Sequence, residues 1–584
     1  MVISKRKALT QMGVAFTAAA LVAPLMSAAG AGPAAAARVA STTTSFPRNE
    51  TLYTSGTAGN SPNNFNPNDL GSLYTGTAGL LYEPLFLYDP LHNKYIPWLA
   101  SSGSWNGDTY TIHVRNGVDW VSSPNGSVTG ALTGADVAFS INMAKTNAAD
   151  PWNANVTTVK SATASGNTVT VDFTSSPAYN SWQDYLWNAP VLPASIWSKM
   201  SSTDQMTAAN LSPVATGPML LDATTSTQAC YSINPHWWGS AQLGLSFKFK
   251  YLCDEENTSN NQELSSVVAD QVDWDNNFLP GVSALVDGAL GGNSGYSIKT
   301  YYPSKPYMLS ANTVWLEMNT TQAPMSNVNF RKAVAYGVNL QQIATSVYTG
   351  MVQTANPTGL LPNLDPYINQ SVVSKYGFSY NPSLAKKYLK ASGYKGQKLT
   401  IEVPTGWTDW MAGIDVIAQD LNAIGIHVTP IYPQYATRES DLIDGTYDMA
   451  LDNNAQLDST PWAYFNRVYD LPIQSKQEAQ LNWERFTDPT AWKLVQEAGS
   501  TVPTDTAQLD NLYGQLEQRF LQTLPEVPLW YNGAWFQGNT TVWTNYPSSV
   551  NPQDQYTPVM WHGYLGAMTT ILGLAELKPA PPAS

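Results

Sequence analysis

The sequence predicts a mixed α/β protein of two or three lobes, on three observations. Strand and helix patterns alternate through the second half of the chain. Short strands separated by turn residues fill much of the first half. About 545 residues beyond a leader-like start exceed what one hydrophobic core serves.

The elements can be read in order. Positions 110–115 alternate inward and outward as a strand and turn at Asn116-Gly117. Thr133, with Asp136 three residues on, makes the capping-box start of a helix. Segments 156–162 and 168–173 pair as a hairpin across Gly166-Asn167. After a cap at Ser326 or Asn327, Val334, Val338 and 343–347 keep helical spacing. Asn381 caps the next helix, Pro382 takes its first position, Leu384, Tyr388 and Leu389 form its apolar face, and Gly393 ends it. A strand at 399–403 leads to an amphipathic helix carrying Ile414, Ile417, Leu421 and Ile424, stopped at Gly425, and then to a strand at 427–431. That order is the ordinary unit of a parallel sheet covered by helices. A last helix at 509–524 ends at Pro525. The closing Lys578-Pro579-Ala580-Pro581-Pro582-Ala583-Ser584 is expected to be a loose tail, and the apolar 566–577 is too short to span a bilayer.

Net charge is −14 and only 12% of residues are charged, against about 25% in typical soluble proteins. Ser, Thr, Asn and Gln must therefore supply most of the polar surface. The 29 Lys and Arg residues form no dense run beyond the start, which excludes a basic groove for nucleic acid. Lys5, Arg6 and Lys7, the small-residue run 8–31 and Ala35-Ala36-Ala37 predict an export signal over 1–37, cut before Arg38. Gly13, Pro24, Gly30 and Gly32 argue against a membrane anchor, and no cysteine near the cut predicts lipidation. A periplasmic, extracellular or cell-surface location is expected, with Sec and twin-arginine routes both open.

Export brings Cys230 and Cys253 into an oxidising compartment. Segments 230–233 and 247–251 read as strands, reversed through Asn234-Pro235 and the glycines at 239–244. An antiparallel hairpin would bring the sulfurs together in a bridge contributing about 3 kcal/mol, the competing reading being two separate buried thiols.

Catalytic patterns are missing: there is no Gly-x-Ser-x-Gly, no His-Glu-x-x-His and no phosphate loop. The histidines at 92, 113, 236, 427 and 562 lack metal-ligand spacing. Asp254-Glu255-Glu256 is the densest acidic group and reads as a solvated turn. With 43 acidic residues many carboxylate pairs are available, so a secreted glycoside hydrolase is the competing enzyme reading. The expectation is a non-enzyme with no cofactor and no metal.

Leu80-Leu81-Tyr82-Glu83-Pro84-Leu85-Phe86-Leu87-Tyr88-Asp89, followed by Thr133-Gly134-Ala135-Asp136-Val137-Ala138-Phe139-Ser140, resembles the N-terminal signature of the family-5 extracytoplasmic solute-binding proteins. These capture oligopeptides, nickel or oligosaccharides for ABC importers. Further matches keep family order: Ala215-Thr216-Gly217-Pro218, Asn234-Pro235-His236-Trp237-Trp238, Ala269-Asp270-Gln271-Val272-Asp273, Phe330-Arg331-Lys332-Ala333-Val334-Ala335-Tyr336 and Leu524-Pro525-Glu526-Val527-Pro528-Leu529. The resemblance implies a two-lobed periplasmic-binding-protein-like (type II) fold with a hinged cleft. Lobe I would use 41–90, 213–312 and 541–584, an extra α/β subdomain 91–212, and lobe II 313–540. The chain would cross between lobes near Val314-Trp315-Leu316-Glu317 and again near Trp543. A monomer that passes a small solute to ABC permease subunits is implied.

The same resemblance points to cleft loops. Trp407 and Trp410 fall between the strand at 399–403 and a helix at 411–423, a usual ligand-facing place, and can form a platform for sugar rings; core packing is the alternative. Asp452-Asn453-Asn454-Ala455-Gln456-Leu457-Asp458-Ser459-Thr460-Pro461-Trp462 replaces the segment whose acidic residue, four before the proline, holds a peptide's amino terminus in peptide-binding members. Leu457 stands at that position and Asp458 is displaced by one. Asn453, Asn454, Asp458 and Trp462 look more like the cello-oligosaccharide and β-glucoside branch, with an Asn-rich turn as the bland alternative. Asn276 and Asn277, Asn63 and Asn64, and Glu83 resemble the contributions of the first lobe. A neutral oligosaccharide is the expected ligand and an oligopeptide the alternative. Nickel is weakest, because matching Arg and His contacts cannot be placed.

Overall fold

Two large sheets organise the chain. The computed structural model describes residues 46–56, 61–174, 177–286, 296–477, 481–550, 556–559 and 567–581, without the side chains at 454–456 and 567. The expected export signal at 1–37 and the Asn454 side chain lie outside the described residues.

The first sheet has seven strands, in spatial order Met219–Thr224, Gln228–Ile233, Tyr251–Glu255, Thr51–Ser55, Trp274–Asp275, Gln537–Asn539 and Ile298–Lys299. The second has six: Gln353–Thr354, Glu526–Ala534, Leu309–Met318, Met449–Gln456, Leu399–Glu402 and Val428–Ile431. A separate four-stranded antiparallel sheet, Ala100–Asn106, Thr109–Val114, Thr168–Phe173 and Val159–Ser165, falls inside the range expected for the extra subdomain.

The chain leaves the first sheet after Lys299, enters the second at Leu309, and returns between Ala534 and Gln537. Both crossings come earlier than expected. Val314-Trp315-Leu316-Glu317 is the middle of a central strand, buried on both faces between Glu526–Ala534 and Met449–Gln456. Trp543 already belongs to a first-lobe ladder, where Trp543–Thr544 pairs with Lys578–Pro579. The expected loose tail is therefore paired at its start, since proline is tolerated in an edge strand where its missing N–H faces no partner.

Local chemistry explains most elements. The Thr133 N–H donates to Asp136 Oδ2 at 2.9 Å, closing the capping box of helix Gly134–Thr146. Asn381 Oδ1 accepts from Leu384 N–H at 3.0 Å, Pro382 opens helix Pro382–Ser392, and Gly393 closes it at φ 72°. Leu399–Glu402 and Val428–Ile431 are parallel, joined by helix Thr408–Ile424. The helix expected to run through Val338 instead stops at Gly337, and Asn339 caps a new turn by accepting from Gln342 N–H. A second cap inside the apolar period breaks the helix.

Cys230 and Cys253 stand directly opposite each other on antiparallel strands and are joined in a disulfide. The second of these strands is Tyr251–Glu255 rather than 247–251, and helix Trp238–Leu243 occupies the reversal. A closed loop with a sequence separation of 23 stabilises by about 3 kcal/mol in the chain-entropy view. Asp254, read as part of a solvated turn, is 1% exposed, because its strand pairs in parallel with Thr51–Ser55. It accepts from Thr54 Oγ1 at 2.7 Å, and burial pushes its carboxyl up to about 8.

Apolar packing joins the lobes. Val272, Phe278 and Leu279 beside the first sheet share one core with Ile414, Ile417 and Trp530 of the second lobe. A helical layer built on Trp462, Phe465, Leu512 and Phe520 covers the other side of the second sheet, with Trp315 contributed by the sheet itself.

Candidate functional site

Where the subdomain side meets the second lobe, a pocket of about 330 Å³ is lined by Tyr88, Pro90, Leu91, His92 and Asn93 on one wall and by Asn363, Asp458 and Ser459 on the other. Strand Phe86–Asp89 ends in a tight turn back to Lys94–Pro97, which sets Tyr88 and His92 at the seam. Asp89 shapes the turn by accepting from Leu91 N–H at 3.0 Å, and it lies 2.6 Å from His92 Nδ1. Tyr88 donates to Asn93 Oδ1 at 3.0 Å. The ring centroids of Tyr88 and Tyr95 lie 4.2 and 5.0 Å from that of Trp187, an aromatic wall behind the pocket.

Across the seam, Asn363 Nδ2 donates to the Asp458 carbonyl at 2.8 Å, and Asp458 Oδ1 accepts from Ser459 N–H at 2.6 Å. Asp458 is half-buried. Burial first, and then repulsion from Asp184, push its carboxyl up to about 7. Among the described residues no cation forms an ion pair with it. The pocket thus offers one adjustable carboxyl, amide and hydroxyl groups that both donate and accept, and aromatic surface.

The other residues expected at the site are placed as follows. Asn453 is half-buried in strand Met449–Gln456, which pairs with Leu309–Met318, so the alternative of an Asn-rich turn does not hold at this residue. The Trp462 indole is buried and donates to the Val495 carbonyl at 3.1 Å. Trp410 belongs to the first turn of helix Thr408–Ile424 and to the shared apolar core, 3% exposed, whereas Trp407 is half-buried before that helix. Their rings meet edge-to-face at 4.9 Å, and Trp407 also faces Tyr435 at 5.8 Å. One flat platform of two indoles is therefore not what this geometry presents.

First-lobe candidates are largely committed within the lobe. Glu83, 1% exposed, accepts from the indole N–H groups of Trp98, Trp237 and Trp238 at 2.8, 3.2 and 3.1 Å and from Thr216 Oγ1 at 2.8 Å. Burial pushes this carboxyl up to about 7, opposed by those four donors. Two segments of the recognised motif, Glu83 and Trp237-Trp238, are thus one hydrogen-bonded cluster. Asn276 Nδ2 donates to the carbonyls of Trp535 and Pro558, and Asn277 Nδ2 to Asp275 Oδ1 at 2.8 Å. Asn64 donates to Asp69 and accepts from Asn66 N–H in a local turn, while Asn63 is exposed.

Of the expected residues, only Asp458 lines the seam pocket. Tyr88, His92 and Asn363 were missed. Tyr88 lies inside the quoted motif, so a signal for it existed. Asn363 had none, because only the fold brings it beside Asp458.

Residues 94–475 match the bacterial extracellular solute-binding proteins, family 5 Middle. The peptide transport periplasmic protein SapA of Salmonella typhimurium is 24% identical over 80% of this chain and 84% of its own length. A mannohexaose-bound periplasmic oligopeptide-binding protein from Thermotoga maritima is 35% identical, with a TM-score of 0.85 over 92% of this chain and 99% of that one. A dipeptide-binding protein from Pseudoalteromonas, in complex with Met-Leu, shares the fold at 17% identity and a TM-score of 0.71, over 91% of this chain and 100% of its own. The chain belongs to the bacterial extracellular solute-binding proteins of family 5, the extracytoplasmic substrate-binding components of ABC importers, which bind their solutes for transport and are not enzymes.

Proposed function

We propose that this receptor, acting as a monomer, captures a neutral oligosaccharide and hands it to its permease. The observation that carries this reading is the seam pocket, where Tyr88, Tyr95 and Trp187 stand beside uncharged Asn93, Asn363 and Ser459. Sugar rings offer C–H faces to aromatic walls and hydroxyls to groups that both donate and accept. The mannohexaose in a 35%-identical relative agrees with it. Trp407, Asn453 and Asn454 remain candidates for further sugar contacts along the cleft.

An oligopeptide is the second reading, favoured by Asp458. Half-buried and in no ion pair among the described residues, this carboxyl suits a free amino terminus once ionised. SapA, named for peptide transport, agrees with that alternative. Calorimetry of the parent and Asp458→Asn proteins against manno- and cello-oligosaccharides and short peptides separates the two. Sugar binding that survives in Asp458→Asn supports the first, and peptide binding lost in that variant supports the second.

A further inference from the structure

Within the second lobe, away from the groups that line the seam pocket, Glu317, Glu484 and Glu526 bring one carboxylate oxygen each to within 4.8 Å of one another. Glu317 and Glu526 face each other on adjacent antiparallel strands, and Glu484 is fixed by its carbonyl, which accepts from Thr320 N–H at 2.9 Å and Oγ1 at 2.8 Å. All three are 1% exposed or less. Both carboxylate oxygens of Glu317, one of Glu484 and one of Glu526 lack hydrogen-bond partners among the described residues.

A separate side chain points the same way. Tyr464, 4% exposed, packs its ring at a tilt against Trp315, 5.2 Å between centroids, and directs its hydroxyl toward Glu526 without closing a hydrogen bond of good geometry. Buried polar groups are almost always satisfied, and three clustered glutamates that, with Tyr464, leave five oxygens unpartnered among the described residues imply something that satisfies them together.

The neighbouring arginines do not. Arg438 pairs with Glu439 and Asp452, and Arg485 donates to the carbonyls of Leu442, Ile443 and Trp483. Arg467 lies within electrostatic reach of Glu317, Asp452, Asp458 and Asp184. Among the described residues no guanidinium or ammonium forms an ion pair with any of the three glutamates.

We propose that Glu317, Glu484 and Glu526, with the Tyr464 hydroxyl, hold a structural divalent cation of calcium size. The donors are all hard oxygens, which select calcium, magnesium or manganese over softer ions. Calcium, at about 2.3–2.6 Å from its oxygens and tolerant of irregular geometry, accommodates three oxygens lying within 4.8 Å of one another, whereas magnesium demands near-ideal octahedral geometry. The ion would tie together strands Leu309–Met318 and Glu526–Ala534 and the loop that carries Glu484. Burial first, and then repulsion from neighbouring carboxylates, Asp452 in every case, push all three carboxyls upward, the state from which a cation would release them. An exported chain folds where calcium is plentiful, and a site this enclosed would load during folding.

The test uses the full chain, unfolded in chelator and refolded near neutral pH with or without millimolar calcium chloride, then dialysed. Elemental analysis should find one equivalent of calcium retained only in the first sample, with its melting point about 5 °C higher. Glu317→Gln, if it folds, should retain none. Less than a tenth of an equivalent in the unmutated protein, with a melting point unaffected by calcium, would overturn the proposal and leave shared protons as the partners of these oxygens. Because the unmutated protein decides the matter, failure of the variant to fold does not shelter the idea.

Discussion

Asn260 in the first lobe donates through Nδ2 to Oδ1 of Asp409 in the second at 3.1 Å, while the Tyr348 hydroxyl donates to Oδ2, also at 3.1 Å. The Asn260 N–H also reaches the Gly406 carbonyl at 3.2 Å, and a Cβ at Gly406 would stand 2.6 Å from the Thr258 carbonyl oxygen. The lobes therefore meet through backbone at this point, and glycine permits the approach. Asn260→Ala should weaken the closed form and lower ligand affinity about fivefold, the effect of losing one hydrogen bond worth about 1 kcal/mol. Calorimetry with solution scattering checks this; unchanged affinity and an unchanged radius of gyration would show that the contact does not hold the lobes together.

Buried carboxyls make stability depend on pH in an unusual direction. Burial pushes Glu83 and Asp150 up to about 7 and Asp254 and Glu484 up to about 8. Each binds its proton more tightly in the folded chain than in the unfolded one, so stability is greatest below the unfolded values near 4 and falls as pH rises toward 8. Melting points in chelator-treated protein should drop steadily between pH 5 and pH 8. A rise over that interval would mean these groups are ionised with partners in the native state.

Glu83 anchors its lobe rather than the ligand in this account. Glu83→Gln would set an amide N–H₂ against one of four donors, costing about 2–3 kcal/mol at neutral pH, visible as a lower melting point with ligand affinity unchanged. Loss of affinity without loss of stability would return Glu83 to the binding site.

How far the chain could be read depended on the range of the interaction. The Asn381 cap, the Thr133–Asp136 box and the strand, helix, strand unit around Ile414 are local and were legible. The Cys230–Cys253 bridge was legible because both strands lie close in sequence, although the second strand slipped by four residues. Asp254 was misread because the strand that buries it is 200 residues away. Asn453 was read on a cleft loop rather than in a strand because strand pairing with Leu309–Met318 leaves no local trace. The seam pocket was half legible: Asp458 stood out as a displaced acid, but Tyr88 and Asn363 join it only in the folded molecule.

The two indoles before and within helix Thr408–Ile424 should separate by experiment. Trp410→Ala removes a fully packed core ring and should cost about 3–5 kcal/mol of stability. Trp407→Ala, at a half-buried position, should leave the melting point nearly intact and weaken sugar binding by about 1–3 kcal/mol. Equal losses of stability would place both in the core, and intact sugar binding in folded Trp407→Ala would remove it from the ligand's path.

The most direct measurement is calorimetric titration of the purified protein with mannohexaose, a cello-oligosaccharide and a short peptide, followed by mass spectrometry of the recovered ligand. The account predicts saturable binding of an oligosaccharide with one site per chain, the sugar recovered intact, and weak or no binding of the peptide. Tight peptide binding abolished by Asp458→Asn, with no sugar bound, would contradict it.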